Sequence, residues 1–316
     1  MDDLRKPRPP AQTVSPRWLL AALGVTAAGA LLCAWLTLCL LYWQGSWQLL
    51  YHPSSALTRT PASAGLAFEP IRFATAETGA PQLAGWWLPA SGARFTVLFL
   101  HGAGGNLSDS VVTLAVLHNQ NLAVFAFDYR AYGQSLPLAS AGHPSEKKLL
   151  QDAGWALDYL TQTRHINLAS IVVYGDSLGA NLAAELAAQH ASLAGVILAQ
   201  PPADPMAPVF ADPRSHLVPA HLLVADRYNL PAIASQLRLP SLWLMPQPPA
   251  GQPAAPPPAY RSVPTAKTLV WLNPPPQSDP HFAETLHRWL DDLPAPIAIA
   301  DDSKSATPFG TGPALR

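Results

Sequence analysis

The feature that most restricts this chain is a serine held between two glycines, with a buried-strand pattern before it and a helix pattern after it. Ile171 to Tyr174 is a short β-branched apolar run of the kind that forms a fully buried parallel strand. Asn181 to Gln189 is rich in Ala and Leu and favours helix. Between them stands Gly175-Asp176-Ser177-Leu178-Gly179, a G-x-S-x-G pattern at a strand-to-helix junction, the context in which it forms a nucleophile elbow. Both glycines have a physical reason: the serine sits in a strained turn, and strand and helix pass too close to each other for a Cβ. Ser177 is also expected to cap the helix, so a negative charge developing beside it would feel the helix N-terminus and the N–H of Leu178.

The chain has 316 residues, 49% of them hydrophobic, which is enough to bury a full core as one large domain or two small ones. Its net charge of −1 gives no reason to expect a nucleic-acid partner. The two cysteines, Cys33 and Cys39, both lie in an apolar N-terminal stretch, so a disulfide framework is excluded. That stretch, residues 18–43, carries no charged side chain and would span about 39 Å as a helix, enough to cross a bilayer with some tilt. Trp18 at one end and Tyr42, Trp43 and Trp47 at the other resemble interfacial belts. Arg5, Lys6, Arg8 and Arg17 precede it, whereas only Arg59 follows within twenty residues. The positive-inside rule then keeps residues 1–17 cytoplasmic and places the rest on the outer side. A cleaved signal peptide is the competing reading, but the apolar run is too long for one and no A-x-A site follows.

From Ala67 onward, strand and helix patterns alternate. Strands are expected at Phe68 to Ala74, Gln82 to Pro89, Thr96 to Leu100, Ala123 to Phe127, Gly195 to Ala199, Ser241 to Met245 and Thr268 to Leu272. Helices are expected at Ser108 to Asn119, Ser145 to Thr161 and His281 to Asp291, the last capped by Ser278 or Asp279 with Pro280 in its first turn. Such alternation gives an α/β fold, a mostly parallel sheet covered by helices on both faces. The organisation expected is a transmembrane helix over 18–43, a globular domain over 47–292 with a cap at 201–228, and a disordered tail over 293–316.

Three motifs occur in order: His101-Gly102-Ala103-Gly104-Gly105 after one strand, Asp128-Tyr129-Arg130-Ala131-Tyr132-Gly133-Gln134-Ser135 after the next, and Gly175-Asp176-Ser177-Leu178-Gly179 later. Together they resemble the α/β-hydrolase superfamily, and more narrowly its membrane-tethered Bem46 and serine-aminopeptidase-like group. Tyr51-His52-Pro53 and Gly85-Trp86-Trp87-Leu88-Pro89 match that group as well. The resemblance implies that Ser177 is the nucleophile of an acyl-enzyme reaction and that Ala103 and Leu178 supply the oxyanion-hole N–H groups. No cofactor is expected, and a metal held by His101, Asp128 and Asp176 is not expected either, since no ligand cluster has suitable spacing. The expected partners are an acyl substrate and, through the N-terminal helix, the membrane. His101, Asp128, Arg130 and Tyr132 are expected to be scaffold.

Two family positions are altered. Where the triad acid should follow Ser241 to Met245, residues 246–258 are dominated by proline, and no Asp or Glu occurs between Asp226 and Asp279. Where the triad His should precede an Asp-Pro step, residues 273–278 contain none. His281 is the nearest substitute for the base, with His287 further along the helix, and Asp204 or Asp212 is the candidate acid. Two functions therefore stand side by side: a membrane-anchored serine hydrolase of the esterase, lipase or thioesterase kind, or an impaired member that keeps the fold as a binding or scaffolding module.

Overall fold

The computed structural model describes residues 15–75 and 81–294. Residues 295–316 of the expected tail and most of the expected cytoplasmic segment over 1–17 lie outside them, while Leu293, placed in that tail, is buried in the core. Backbone contacts divide the chain into two units, residues 15–50 with Met206–Asp226, and Tyr51–Pro205 with residues 227–294.

The larger unit is built on eight strands: β1 (Glu69–Thr75), β2 (Pro81–Leu88), β3 (Thr96–Leu100), β4 (Ala123–Asp128), β5 (Ile171–Asp176), β6 (Gly195–Ala199), β7 (Ser241–Pro246) and β8 (Lys267–Leu272). They form one sheet in the order β8-β7-β6-β5-β3-β4-β2-β1. Every neighbouring pair from β8 to β4 is parallel, and β4-β2 and β2-β1 are antiparallel. β3, β4 and β6 are buried at every position, as strands covered on both faces must be. The principal helices of this unit are α2 (Val111–Asn119), α3 (Glu146–Asp158), α4 (Leu178–Gln189) and α5 (His281–Asp291), while α1 (Pro16–Gly45) belongs to the smaller unit. Leu114 and Leu117 of α2 and Phe282, Leu286 and Trp289 of α5 pack with Val97, Phe99, Val172 and Ile197 of the sheet in one apolar core.

Because β3, β5 and β6 are parallel and in register, their carboxyl ends finish together: Gly175 lies opposite Leu100, and Asp176 opposite Ala199. Ligand sites of open α/β sheets form beyond such ends. The helix after β5 starts at Leu178, three residues earlier than the Ala/Leu run suggests. Gly179 is a weak helix former, but here its missing Cβ is what lets the first turn settle. A Cβ built on Gly179 would lie inside contact distance of the Leu100 carbonyl oxygen and 2.6 Å from that of His101. One on Gly175 would meet the carbonyl oxygen of Gly179 and the Cα of Ala180.

In the smaller unit, α1 begins at an N-cap made by Ser15 and continues in a turn to Leu49. It is long and apolar enough to cross a bilayer, and none of its most apolar window is buried. Met206–Asp226, most of the stretch 201–228 expected as a cap, groups with this helix. Tyr42 donates its hydroxyl to the Val209 carbonyl (2.8 Å), Trp35 donates its indole N–H to the Leu217 carbonyl (2.9 Å), and the short turn Ala220–Leu223 packs on α1.

The elbow and a mid-helix glycine give opposite expectations for the same substitution. Gly179→Ala forces a Cβ into backbone and should destabilise by about 2–3 kcal/mol. Gly154→Ala in α3, where nothing lies within 4 Å of the new Cβ, should stabilise by about 0.5–1 kcal/mol. Denaturant unfolding of the two variants beside the parent chain checks both signs.

Candidate active site

Ser177 has φ 52° and ψ −120°, a conformation that L-residues rarely adopt. Two backbone hydrogen bonds hold it there: Ser177 N–H donates to Ala199 O (2.8 Å), and Ala180 N–H donates to Ser177 O (3.0 Å). The expected side-chain cap is absent. Ser177 occupies the N-cap position of α4, but its side chain makes no capping bond and the residue is exposed. Its Oγ is thus left outward, next to the unbonded N–H groups that begin every α-helix.

The loop after β3 runs directly past this serine. A Cβ on Gly102 would stand 3.4 Å from Ser177 Cβ and 3.8 Å from its Oγ. The loop is fixed from below. His101 Nδ1 pairs with the Gly102 carbonyl at 2.8 Å, and since a carbonyl only accepts, Nδ1 carries the proton. The His101 ring packs near Tyr129 (4.5 Å between centroids) and Tyr132 (5.1 Å). Those tyrosines in turn donate to the carbonyls of His101 (3.3 Å) and Ala103 (2.8 Å). His101 Nε2 is buried without a hydrogen-bond partner, 3.9 Å from Asp128 Oδ1. Burial pushes the His101 imidazole down to about 4 and the Asp128 carboxyl up to about 6.

Asp128 and Arg130 fill the scaffold roles expected of them. Asp128 Oδ1 accepts from Leu107 N–H (2.9 Å), and Arg130 grips the buried Asp152 of α3 through Nε (2.8 Å) and its own N–H (2.9 Å). A second tie comes from the segment after residue 50, whose role had no local pattern to reveal it. His52 and Pro53 pair in parallel with Gly104 and Gly105. His52 N–H donates to Ala103 O (2.9 Å), and Asn106 Nδ2 donates to the carbonyls of Ser54 (3.1 Å) and Ala56 (2.8 Å). The same Asn106 accepts from Ser108 N–H (2.8 Å) to cap the turn leading into α2. Ala103, the expected oxyanion donor, is therefore held through its carbonyl from two sides.

At the other candidate positions, His281 opens α5 with its ring 74% exposed. Its Nδ1 lies 3.1 Å from Asp279 Oδ1, so Asp279, not Asp204, is the carboxylate against the imidazole. Asp279 is buried and accepts from Asn273 N–H (2.8 Å), Asn273 Nδ2 (3.0 Å) and His281 N–H (2.9 Å). These donors, led by the Asn273 backbone, hold its carboxyl at about 2. Pro280 takes the N-cap position of α5, and Asp279 serves the helix through its carboxylate at His281 N–H and its carbonyl at Phe282 N–H (3.0 Å). Asp204 is exposed in the loop after β6. Asp212 is engaged with Arg214, whose N–H it accepts while forming an ion pair (2.8 Å). His287 pairs with Asp291 one turn along the exposed face of α5 (3.3 Å). Close approach at Gly102 brings the β3 loop beside Ser177, and a hydrogen bond separately pairs Asp279 with His281; among the described residues no hydrogen bond links the two groups.

Residues 91–240 match the family described as serine aminopeptidase, S33. The uncharacterised YfhR of Salmonella typhi is 36% identical over 137 residues, 42% of this chain and 43% of that protein. The yeast membrane protein YNL320W is 31% identical over 141 residues, 44% of this chain and 47% of its own length. The chain thus spans less than half the length of either relative. Among solved structures, the Pyrococcus furiosus esterase Pf2001 superposes with a TM-score of 0.55 at 18% identity, covering 77% of this chain and 99% of that one, a likeness of fold.

Two expectations follow from the loop. Asn106→Ala removes the tie to Ser54 and Ala56 together with the cap on Ser108, and should cost about 1–3 kcal/mol in denaturant unfolding. The second concerns pH. His101 titrates lower folded than unfolded, so its contribution is complete above about 6.5 and is lost as pH falls toward 4. Asp128 titrates higher folded than unfolded, so its contribution runs the opposite way, falling as pH rises from about 4 to 6. His101→Gln deletes only the first effect. Its deficit in Tm relative to the parent should therefore be larger at about pH 7.5 than at about pH 5, and equal deficits would contradict the assignment.

Proposed function

From the premise that this chain is an α/β-hydrolase of the serine-aminopeptidase-like group, we propose that it is a membrane-anchored serine hydrolase cleaving an ester, thioester or amide through Ser177. The observation that carries this reading is the strained backbone of Ser177, paid for by the close passage at Gly175 and Gly179. A serine that served only as a helix cap would have no reason to occupy it. In the proposed reaction Ser177 Oγ attacks the acyl carbonyl, and the N–H groups of Ala103 and Leu178 receive the oxyanion. The leaving group departs from the tetrahedral intermediate, and water then hydrolyses the acyl-enzyme.

His281 is the proposed base. Asp279 beside Nδ1 favours the tautomer in which Nδ1 carries the proton and Nε2 is free to accept one, the part an acid plays in a Ser-His-Asp arrangement. Because the Asp279 carboxyl is held at about 2, it stays ionised throughout the neutral range. Membrane attachment rests on the length and apolarity of α1, and the arginines and lysine before it favour a cytoplasmic N-terminus with the hydrolase unit on the outer side. Ester cleavage is also the activity named for the Pyrococcus structural relative.

A binding or scaffolding module is the second reading. It is favoured by the absence of any hydrogen bond from the Asp279–His281 pair to Ser177 among the described residues, and by the proline-rich stretch that replaces an acid after β7.

Fluorophosphonate labelling of the detergent-purified full chain separates them. The hydrolase reading expects labelling of the parent, none of Ser177→Ala, and labelling slowed by about 10²-fold or more in His281→Ala and Asp279→Asn. Undiminished labelling of His281→Ala would remove His281 from the mechanism. A folded parent that takes no label would leave the binding module as the function.

A further inference from the structure

The smaller unit carries apolar side chains that nothing in it covers. Leu217 is 62% and Leu222 85% exposed, although both belong to a segment whose Val209 and Ala220 are buried. The height of this segment along α1 is fixed by its two hydrogen bonds to the helix, at Trp35 through the Leu217 carbonyl and at Tyr42 through the Val209 carbonyl. Counting from Arg17, the last charge before the apolar stretch, Trp35 lies about 27 Å along the helix axis and Tyr42 about 38 Å. A bilayer's hydrocarbon core is about 30 Å thick. Leu217 is therefore bonded to α1 at the level where the hydrocarbon ends, and Val209 about 10 Å beyond, among headgroups.

In sequence, the Asp212–Arg214 ion pair lies between the two residues bonded to α1, Val209 and Leu217. His221 is stacked on Phe210 (4.2 Å between centroids), while the turn that carries it and Leu222 packs on α1. An apolar edge at the hydrocarbon boundary, in a segment that also carries an ion pair, is the arrangement of a segment lying in a membrane interface.

We propose that Met206–Asp226 is an interfacial segment whose partner is the lipid bilayer, with Leu217 and Leu222 inserted among the acyl chains of the leaflet through which the C-terminal end of α1 emerges. The inference rests on the reading of α1 as a membrane-spanning helix and extends it, giving this chain two membrane contacts, one across the bilayer and one along its surface. The segment leaves the larger unit at Pro205 and rejoins it at Arg227, so the hydrolase chain is tethered to the interface at three points: residue 50, residue 205 and residue 227.

The test uses the full chain, with Cys33 and Cys39 replaced by Ala, reconstituted in phosphatidylcholine vesicles. Single cysteines at Leu217→Cys, Leu222→Cys and, within α1, Leu23→Cys are labelled with bimane. Fluorescence is compared in vesicles with and without phosphatidylcholine bearing a nitroxide, either high on the acyl chain or near its end. The proposal expects the labels at 217 and 222 to lose most of their fluorescence to the shallow nitroxide and little to the deep one. The label at 23 should be quenched wherever the span places it. Quenching at 23 without quenching at 217 and 222 overturns the proposal and leaves the anchor standing. No quenching at 23 overturns the anchor, and the proposal with it.

Discussion

The structure turns on how closely a strand, a helix and a neighbouring loop approach one another at one point. At the end of β5 the chain reverses into α4; the carbonyls at the end of β3 lie where a Cβ on Gly179 would have to go, and the first turn of α4 lies where one on Gly175 would. That approach forces Ser177 into positive φ, brings the backbone of Gly102 within reach of its Oγ, and aligns the first turn of α4 behind it. The parallel register of β3, β5 and β6 makes the approach possible, because only strands running the same way end at the same level. The core supports it with continuously apolar strands, and the site is the place where this packing gives way to exposed polar chemistry.

Around that point the scaffold is more polar than the core it stands on. His101, Asp128 and Asp152 are buried ionisable groups, and two of them hold the loop or the turn beside the serine through bonds to backbone. Burying such groups is costly unless they are bonded, and here the bonds fix the path of the loop carrying Ala103. The strap after residue 50 adds a third side to that fixation, pairing His52 and Pro53 with Gly104 and Gly105. The segment after residue 50 is therefore part of the wall that positions the loop carrying Ala103.

Much of the fold was legible in the sequence because apolar runs there are cleanly bounded. Thr96–Leu100, Gly195–Ala199 and His281–Asp291 have the bounds that pattern alone suggests. The start of α4 was legible from the expected cap position at Ser177 and not from the Ala/Leu run, since Gly179 weakens helix locally and is there for the close passage of the neighbouring carbonyls. The placement of Met206–Asp226 was not legible. Its contacts join residues 167 and 182 positions apart in the chain, and no local periodicity encodes them. At the site, the serine and its loop followed from motif order. The pairing of Asp279 with His281 was overlooked because an Asp-Pro step before a helix reads as a cap, and a carboxylate that accepts one helical N–H can also meet a ring nitrogen. Asp204 was favoured from a position in the fold, where the structure puts an exposed loop residue.

The central claim is that the strained serine is an acyl nucleophile, and its most direct measurement is peptide mass spectrometry after brief exposure of the folded chain to p-nitrophenyl acetate. The account predicts an acetyl group on the peptide containing Ser177 that forms within the exposure and disappears on standing as water takes the acyl group. An acetyl group found only on other residues, or none on a folded chain, would contradict it.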